Sequence, residues 1–241
     1  QNVVIKNKMD KDTISKSQQF YRRIYYFLFK ERFNKKIVYN FEKNIFRWDL
    51  INFLHKNNNF QTYLEIGCDD DLLFSKISIK NKIGIDPLFG GNVRKTSDDF
   101  FNSNQSNFDC IFIDGLHIYS QVKRDIINSL KFLNDGGYIL VHDCLPSSLS
   151  CQAVPRYKIT WNGDVWKAIV DLRKRDDLEI FTCLVDYGVS IIQKKKNSDP
   201  LKIDKDIIKL RFKDFYNNYP KFMRTITFDE FKLKFQNKNE F

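Results

Sequence analysis

The stretch FDCIFIDGLHIYSQVKRDIINSLKFLNDGGYILVHDCLP, residues 108–146, decides the fold of this chain. It begins with a short apolar run that ends at Asp114 and closes with a second apolar run that ends at His142-Asp143. Between the two runs, residues 119–133 place apolar side chains at helical spacing. The pattern predicts a strand, a helix and a second strand, which together form one parallel βαβ unit.

Both predicted strands end in polar side chains. Ligands of open parallel sheets bind beyond the carboxyl ends of the strands. Since Asp114 and His117 follow the first strand and His142-Asp143 ends the second, we expect two carboxylates and two imidazoles to share one rim.

Two earlier segments have the same design. Residues 62–67 predict a strand that ends in Glu65-x-Gly67, and residues 82–86 predict a strand that ends in Asp86. A glycine after the first strand lets a ligand approach the backbone closely. A carboxylate about 20 positions later suits a ribose diol. The pair indicates a nucleotide-like cofactor and leaves a dinucleotide and S-adenosylmethionine as alternatives.

The loop after Gly67 favours S-adenosylmethionine. It carries Asp69-Asp70-Asp71 in place of a G-x-G-x-x-G pattern, and these carboxylates would repel a pyrophosphate but not a sulfonium cation. Two further predicted strands, 179–185 and 189–193, are joined by an Asp-Tyr-Gly turn. Such a hairpin fits a methyltransferase sheet better than a dehydrogenase sheet.

Residues 113–143 read IDGLHIYSQVKRDIINSLKFLNDGGYILVHD. They resemble the class I S-adenosylmethionine-dependent methyltransferases, specifically the group with the motif IDGxHxYxxVxxDI followed by GGxxxxHD. The resemblance covers about residues 60–194. It implies an α/β, Rossmann-like fold with a mainly parallel seven-stranded sheet and an antiparallel C-terminal hairpin. It also implies methyl transfer from S-adenosylmethionine to an oxygen of a small molecule or sugar.

The same resemblance assigns cofactor contacts residue by residue. The implied contacts are Glu65 and Gly67 for the methionine part, Asp86 for the ribose, Ser97 and Asp98 for the adenine, and Asp114 with Gly115 beneath the sulfonium. One departure stands out: members of the group carry further glycines where this chain has Asp69 and Asp71.

Related small-molecule O-methyltransferases place a divalent metal between carboxylates at these strand ends. By resemblance, Mg²⁺ or another divalent ion would bind Asp114, Asp143 and His142, and would lower the pKa of an acceptor hydroxyl. His117, His142 and Asp143 are the candidate catalytic residues. A neutral imidazole with a pKa of about 6.5 is suited to take a hydroxyl proton. The alternative for His142 is a packing role.

The composition bounds the partners. The net charge of +10 fits a lysine-rich solvated surface, an anionic substrate, a nucleic acid or a membrane surface. The second strand ends in His-Asp-Cys-Leu, which is not the Asn/Asp-Pro-Pro-Tyr/Phe motif of base-amino methylation and argues against a nucleic-acid substrate. A non-catalytic interaction protein is the remaining alternative.

Five cysteines without a CxxC pair and no apolar stretch of roughly 20 residues favour a cytoplasmic enzyme.

The rest of the chain predicts a helical extension at 1–58, a methyltransferase domain at 59–195 and a helical tail at 196–241. We expect a helix over 12–33, with a stripe of apolar residues that packs on the same domain, on a second copy in a homo-oligomer or, alternatively, on a membrane. A second helix is expected over 45–56. The loop 145–163 is a candidate lid, in which Arg156 and Lys158 could meet an anionic substrate.

Overall fold

The fold is built around the parallel strands that the βαβ pattern predicts, and the computed structural model describes residues 14–236. The strands are β1 (Thr62–Ile66), β2 (Asn81–Ile85), β3 (Phe108–Ile113), β4 (Leu133–Val141), β5 (Leu178–Cys183), β6 (Val189–Lys194) and β7 (Thr225–Ile226). The helices are α1 (Lys16–Phe29), α2 (Arg47–Asn58), α3 (Leu72–Lys76), α4 (Ser97–Ser103), α5 (Tyr119–Lys131), α6 (Trp166–Leu172), α7 (Phe212–Met223) and α8 (Phe228–Phe235).

Within these residues the strands form one seven-stranded sheet in the order β2-β1-β3-β4-β6-β5-β7. Neighbours from β2 to β4 pair in parallel, and β6 runs antiparallel to both β4 and β5. The predicted mainly parallel sheet with an antiparallel hairpin is therefore confirmed. The seventh strand is the two-residue β7, which pairs with β5 from within the tail, where the sequence predicts only helix.

The unit β3-α5-β4 is the predicted βαβ unit. Ile111 pairs with Ile139 and Ile113 with Val141, so the residues that follow the two strands emerge side by side. Alternate residues of β3 enter the two apolar layers on opposite faces of the sheet. Because both faces are covered, the strands read as continuous apolar runs, and the polar residues are left at the carboxyl edge.

The extensions pack closely on the sheet domain. Trp166 of α6 is fully buried, and its ring lies 4.7 Å from that of Phe215 on α7. Phe231 of α8 contacts Phe53 of α2, with ring centroids 5.4 Å apart. Glu31, just after α1, accepts hydrogen bonds from the first amides of α7. Residues on both sides of the methyltransferase-like region thus complete its core.

Helix α1 begins later than predicted because Ser15 caps it in a capping box with Gln18; residues 12 and 13 lie outside the described residues. The predicted apolar stripe does not pack on the domain. Its four members, Phe20, Ile24, Phe27 and Leu28, are 38–60% exposed. The opposite side of α1 makes the contact instead, through Arg22 and Tyr26.

Among residues 14–236, no helix combines the length and the apolar character needed to cross a bilayer. The five cysteines are all free and buried, and Cys110 and Cys183 lie in the core.

Candidate active site

A cavity of about 1140 Å³ lies at the carboxyl ends of β1 to β4. It runs from the β1–β2 edge to the residues that follow β4. Every cofactor, catalytic and metal residue predicted from the sequence lines it: Glu65, Gly67, Asp86, Ser97, Asp98, Asp114, Gly115, His117, His142 and Asp143. The topology therefore brings all of these predicted residues to one space.

Gly67 has a geometric reason to be glycine. Its φ is +86°, and a Cβ atom there would lie 2.3 Å from the backbone oxygen of Asp114. Side chains avoid both this conformation and this distance. The close approach allows the turn after β1 to lie directly against the turn after β3, and both turns line the cavity.

The acidic loop keeps a backbone that glycine favours. Asp69 has φ +45° and Asp71 has φ +62°, a left-handed region that Asp tolerates better than most residues. The Oδ1 atom of Asp71 accepts a 2.6 Å hydrogen bond from the amide of Gly91. The two aspartates thus adopt a backbone conformation that glycine favours, and Asp71 also ties this loop to the next.

Asp86 is held by backbone amides at the end of β2. Its Oδ1 atom accepts hydrogen bonds from Leu88 and Phe89 at 2.8 and 2.9 Å, and its Oδ2 atom accepts one from Asp69 at 3.2 Å. A carboxylate fixed in this way has a defined orientation toward the cavity. Leu88 and Phe89 also line the cavity, and the sequence analysis missed both because loop residues carry no periodic signal.

Glu65 is 1% exposed and accepts a 2.7 Å hydrogen bond from the hydroxyl of Tyr63. Burial raises the pKa of Glu65 to about 8, although the Tyr63 hydrogen bond opposes this rise. The carboxyl group is therefore mostly protonated at neutral pH in the empty cavity. A cation brought beside it would favour the ionised form.

The far end of the cavity is organised by Gln121, which the sequence analysis missed. Its amide nitrogen lies 3.2 Å from Ser97 Oγ, 3.3 Å from Asp98 Oδ1 and 2.9 Å from Asp125 Oδ1. Burial raises the pKa of Asp125. Gln121 and Asp125 are one turn apart on α5, on the side that faces the cavity, and this polar spacing was the available signal.

The residues after β3 and β4 form a connected cluster, hereafter the Asp-His cluster, of Asp114, His117, His142 and Asp143. Three contacts of 3.2 Å join His117 Nε2 to Asp114 Oδ1, His117 Nδ1 to Asp143 Oδ2, and His142 Nδ1 to Asp114 Oδ1. Asp114, His117 and Asp143 each offer a ligand atom within 4.8 Å of the others. The group of possible metal ligands thus contains His117, where the sequence predicts His142.

Charge within the cluster is distributed unevenly. Burial opposes ionisation of Asp114, but His142 and His117 outweigh it and hold the pKa of Asp114 well below its usual range. Burial raises the pKa of Asp143 despite both histidines. Asp114 and Asp143 overcome the desolvation of His142, and the pKa of His142 rises well above its usual value. In the metal-free cluster His142 is therefore a cation, and Asp143 is the more basic of the two carboxylates.

The backbone around Asp143 is constrained. Asp143 has φ +58°, and its Oδ1 atom accepts a 2.7 Å hydrogen bond from Nδ2 of the Asn162 side chain. Next along the chain, a Cβ atom on Gly163 would lie 1.7 Å from the backbone oxygen of His117. The end of the loop 145–163 therefore lies directly against the Asp-His cluster and orients one of its carboxylates.

Two charged residues behind the cluster were missed. Arg47 Nη1 lies 2.7 Å from Asp186 Oδ2, and His142 Nε2 lies 3.6 Å from the same oxygen. Arg47 begins α2, far from the motif, and offers no local signal. Asp186 belongs to the β5–β6 turn, where its left-handed φ of +44° gives it the appearance of an ordinary turn residue.

The loop 145–163 supplies one wall. Arg156, Ile159 and Trp161 line the cavity, and the ring of Trp161 stacks on His117 with centroids 5.4 Å apart. Lys158, the second cation expected to meet a substrate, is not among the lining residues. A smaller cavity of about 340 Å³ adjoins the first and shares Arg47, His142, Asp143 and Trp161 with it.

Comparison with known proteins gives three kinds of similarity. Residues 84–144 match a family model described as a methyltransferase domain. Uncharacterized protein R132 of Acanthamoeba polyphaga mimivirus is 32% identical over an alignment that covers 39% of this chain and 56% of that protein. The matched region therefore spans about half the length of this curated relative.

Two solved structures are similar in fold. Methyltransferase PaMTH1 of Podospora anserina, bound to S-adenosylhomocysteine, has a TM-score of 0.50 and 15% identity, over 62% of this chain and 78% of that one. The O-methyltransferase TomG of Streptomyces achromogenes, in complex with S-adenosylmethionine, has a TM-score of 0.45 and 14% identity, over 62% and 79%. With the sheet order, the first similarity confirms a Rossmann-like methyltransferase fold, and the family match supports a methyltransferase domain over residues 84–144.

Proposed function

We propose that this protein transfers the methyl group of S-adenosylmethionine to an oxygen of a small molecule or sugar. The observation that carries the proposal is the single cavity that joins Gly67 and Asp86 to the Asp-His cluster. A cofactor with a sulfonium centre needs a polar site at each end, and its reactive methyl must face an acceptor. The cavity supplies both ends and a polar pocket for the acceptor.

The cofactor would extend along the strand ends. Glu65 would take the ammonium group, Gly67 would let the methionine part lie on the backbone, and Asp86 would accept the ribose hydroxyl protons. Ser97 and Asp98 would lie beside the adenine, supported by Gln121. Asp114 and Gly115 would lie beneath the sulfonium, where the negative charge of Asp114 would attract the cation. Transfer of the methyl group to the acceptor oxygen would break the S–C bond and leave S-adenosylhomocysteine as a neutral thioether.

The acceptor hydroxyl would enter beside His117 and Asp143. Methyl transfer needs the attacking oxygen, the methyl carbon and the sulfur in line, and positioning supplies much of the rate enhancement. Asp143 combines a raised pKa with a 3.2 Å contact to His117, so this pair is suited to accept the hydroxyl proton. His142 would act on the same step by keeping Asp114 ionised and oriented.

The cluster also fits a divalent cation. Two carboxylates and one imidazole with ligand atoms within 4.8 Å suit Mg²⁺ or a slightly softer ion such as Mn²⁺. Asp114, His117 and Asp143 would hold it, with His142 hydrogen-bonded to Asp114 behind them. Bound there, the ion would lower the pKa of an acceptor hydroxyl. Arg156 at the cavity wall favours an acceptor that carries a negative charge.

We further propose that residues 59–195 are the methyltransferase domain, with 1–58 and 196–241 as helical extensions. Phe231 of the tail packs on Phe53 of the N-terminal extension, which supports expressing the chain whole. Every experiment below therefore uses the full chain.

Calorimetry with S-adenosylhomocysteine is the first test. We expect binding in the micromolar range or tighter for the wild type, and a loss of at least tenfold for Asp86→Ala, which removes the ribose acceptor. Asp204→Ala, at an exposed position of the tail, is the matched control and should bind like the wild type. If the wild type binds no S-adenosylhomocysteine, the proposed activity is wrong.

The acceptor is then sought with S-adenosylmethionine and a panel of sugars, catechols and hydroxy acids. Gain of one methyl group, detected by mass spectrometry, identifies it. Methylation at nitrogen or carbon in every productive case would contradict the assignment to oxygen, while leaving the cofactor assignment intact.

A further inference from the structure

The outer face of α1 is apolar, exposed and bordered by positive charge. Phe20, Phe27 and Leu28 are 60%, 58% and 56% exposed, with Ile24 between them at 38%. At 3.6 residues per turn these four positions lie on one side of the helix, opposite Arg22 and Tyr26. Tyr21, at 69%, lies beside Leu28 and widens the face. Nothing else in residues 14–236 covers it.

The charge around this face is unbalanced. Between residues 16 and 36 there are seven basic residues and one acidic residue, a net charge of +6 out of +10 for the whole chain. The one acid, Glu31, points inward and accepts hydrogen bonds from the amides of Phe212 and Lys213. The exposed cations that remain around the apolar face are Lys16, Arg23, Lys30, Arg32, Lys35 and Lys36.

We propose that α1 docks this protein on an anionic lipid bilayer, with the helix in the plane of the interface. The aromatic face would enter the boundary between headgroups and acyl chains, and the flanking lysines and arginines would contact lipid phosphates. Arg32 and Lys30 already lie over the rings of Phe27 and Tyr25, at 4.2 and 5.7 Å. Their long side chains thus follow the apolar surface while their charges stay at its edge.

A second copy of the chain fits this face less well. A symmetric contact would bring the same patch of each protomer together, and the two net charges of +6 would repel each other across it. The core of a protein interface is normally poor in charged residues. An anionic bilayer supplies apolar depth and negative charge at once, which is the combination this face presents.

Docking would also bring the active-site loop to the lipid surface. The hydroxyl of Tyr26 donates a 2.6 Å hydrogen bond to the Val154 oxygen, and Arg22 donates one of 2.7 Å to the Arg156 oxygen. The side chain of Arg156 lines the large cavity. Because α1 has a diameter of about 10 Å, the loop that it holds would lie about that far from the headgroups. An acceptor that partitions into the interface would meet this wall first.

Vesicle co-sedimentation of the full chain tests the proposal. We expect binding to phosphatidylcholine vesicles that contain about 30% phosphatidylserine, weak binding to pure phosphatidylcholine, and release as the salt concentration rises. The double variant Phe20→Ser/Phe27→Ser should bind at least tenfold less. Leu233→Ser, a 77% exposed apolar residue on α8, is the control and should bind like the wild type.

A variant with two basic residues replaced tests the electrostatic contribution to membrane binding. Arg23→Gln/Lys30→Gln should lower the partition coefficient about 30-fold, whereas Lys202→Gln/Lys209→Gln, two exposed lysines of the tail, should change it little. Circular dichroism and the thermal midpoint establish that each variant is folded. No binding to anionic vesicles, or equal binding to neutral ones, would overturn the proposal. The proposal would also be overturned if the wild type formed a dimer that persists in the presence of vesicles while the Phe20→Ser/Phe27→Ser variant is a monomer.

Discussion

Arg47 and Asp186 form an ion pair of 2.7 Å that links the start of α2 to the β5–β6 turn. Both side chains are largely buried, at 19% and 8% exposure, and they lie directly behind the Asp-His cluster. The pair therefore connects the N-terminal extension to the proposed catalytic residues. The loss of folding stability on breaking this buried ion pair can be compared with the loss on breaking an exposed ion pair in the same chain.

Arg47→Ala should destabilise the protein by about 2–4 kcal/mol, because it leaves the buried carboxylate of Asp186 with only the more distant His142 as its charged partner. Arg175→Ala, which breaks the exposed Arg175–Asp177 pair, should cost less than about 1 kcal/mol. Urea unfolding followed by fluorescence measures both. Equal losses for the two variants would mean that Arg47 contributes no more than a surface arginine.

The pKa of His142 predicts a pH dependence of stability. Desolvation lowers this pKa, but the negative charges of Asp114 and Asp143 raise it by a larger amount. The pKa in the folded protein therefore lies well above the unfolded value of about 6.5. The stabilisation is fully present below about pH 6.5 and is lost as the pH rises through the folded pKa. Urea unfolding between pH 6 and 9, with a chelator present, should show this decline.

His142→Gln should flatten that decline. Glu65 contributes a loss of stability over part of the same window, since its folded pKa of about 8 exceeds its unfolded value. This background is common to both proteins, so the difference between the two curves reports the charge on His142 together with its coupling to Asp114 and His117. A variant curve parallel to that of the wild type would show that the charge on His142 does not stabilise the fold.

Glu65 predicts that cofactor binding releases a proton. With a pKa of about 8, the empty protein holds the proton at pH 7, and the ammonium group of the cofactor would favour the ionised form. Titration with S-adenosylhomocysteine at pH 7, in buffers of different ionisation enthalpy, should reveal release of up to about one proton. Glu65→Gln should abolish it; an unchanged release would place the proton elsewhere.

Gly67→Ala should be far more damaging than Gly136→Ala. Both glycines have positive φ, at +86° and +76°, but a Cβ atom meets the Asp114 backbone at 2.3 Å in one case and no atom within 4 Å in the other. We expect Gly136→Ala to cost about 1 kcal/mol with cofactor binding retained. Gly67→Ala should cost more than about 2 kcal/mol and lose S-adenosylhomocysteine binding. Similar effects for both would mean that the turn after β1 can shift freely.

The identity of the third metal ligand can be tested with Mn²⁺. The distances favour His117 over His142 beside the two aspartates. His117→Gln and Asp143→Asn should therefore lower Mn²⁺ affinity by more than about 100-fold, and His142→Gln, which removes a partner of Asp114, by about tenfold. Calorimetry of the full chain measures each. If His142→Gln lowered the Mn²⁺ affinity more than His117→Gln, the ligands would be Asp114, Asp143 and His142, as expected from the sequence.

The sequence predicted the sheet well because its strands are buried on both faces. Their apolar runs end at polar residues, and that boundary located Glu65, Asp86, Asp114 and His142 at one edge without any knowledge of pairing. The match of residues 113–143 to a methyltransferase motif remains an interpretation. The family model that matches residues 84–144 supports the coarser assignment.

What the sequence did not predict depends on contacts between distant segments. Arg47 reaches Asp186 across 139 positions, and neither residue stands out locally. The strand β7 has two residues, too few for any periodic pattern. The exposure of Phe20 and Phe27 was also beyond reach, since an apolar stripe at helical spacing looks the same whether it faces a core or solvent.

The short strand β7 has a consequence for handling the protein. It pairs with the outer side of β5 through Thr182–Thr225 and Cys183–Ile226, and it thereby covers the backbone of the last two residues of this edge strand. A fragment that ended after β6 would leave the whole of β5, a run of Leu-Glu-Ile-Phe-Thr-Cys, open to pairing with another chain. The tail thus shortens the exposed edge of the sheet, even though none of its described residues, 196–236, lines the cavity.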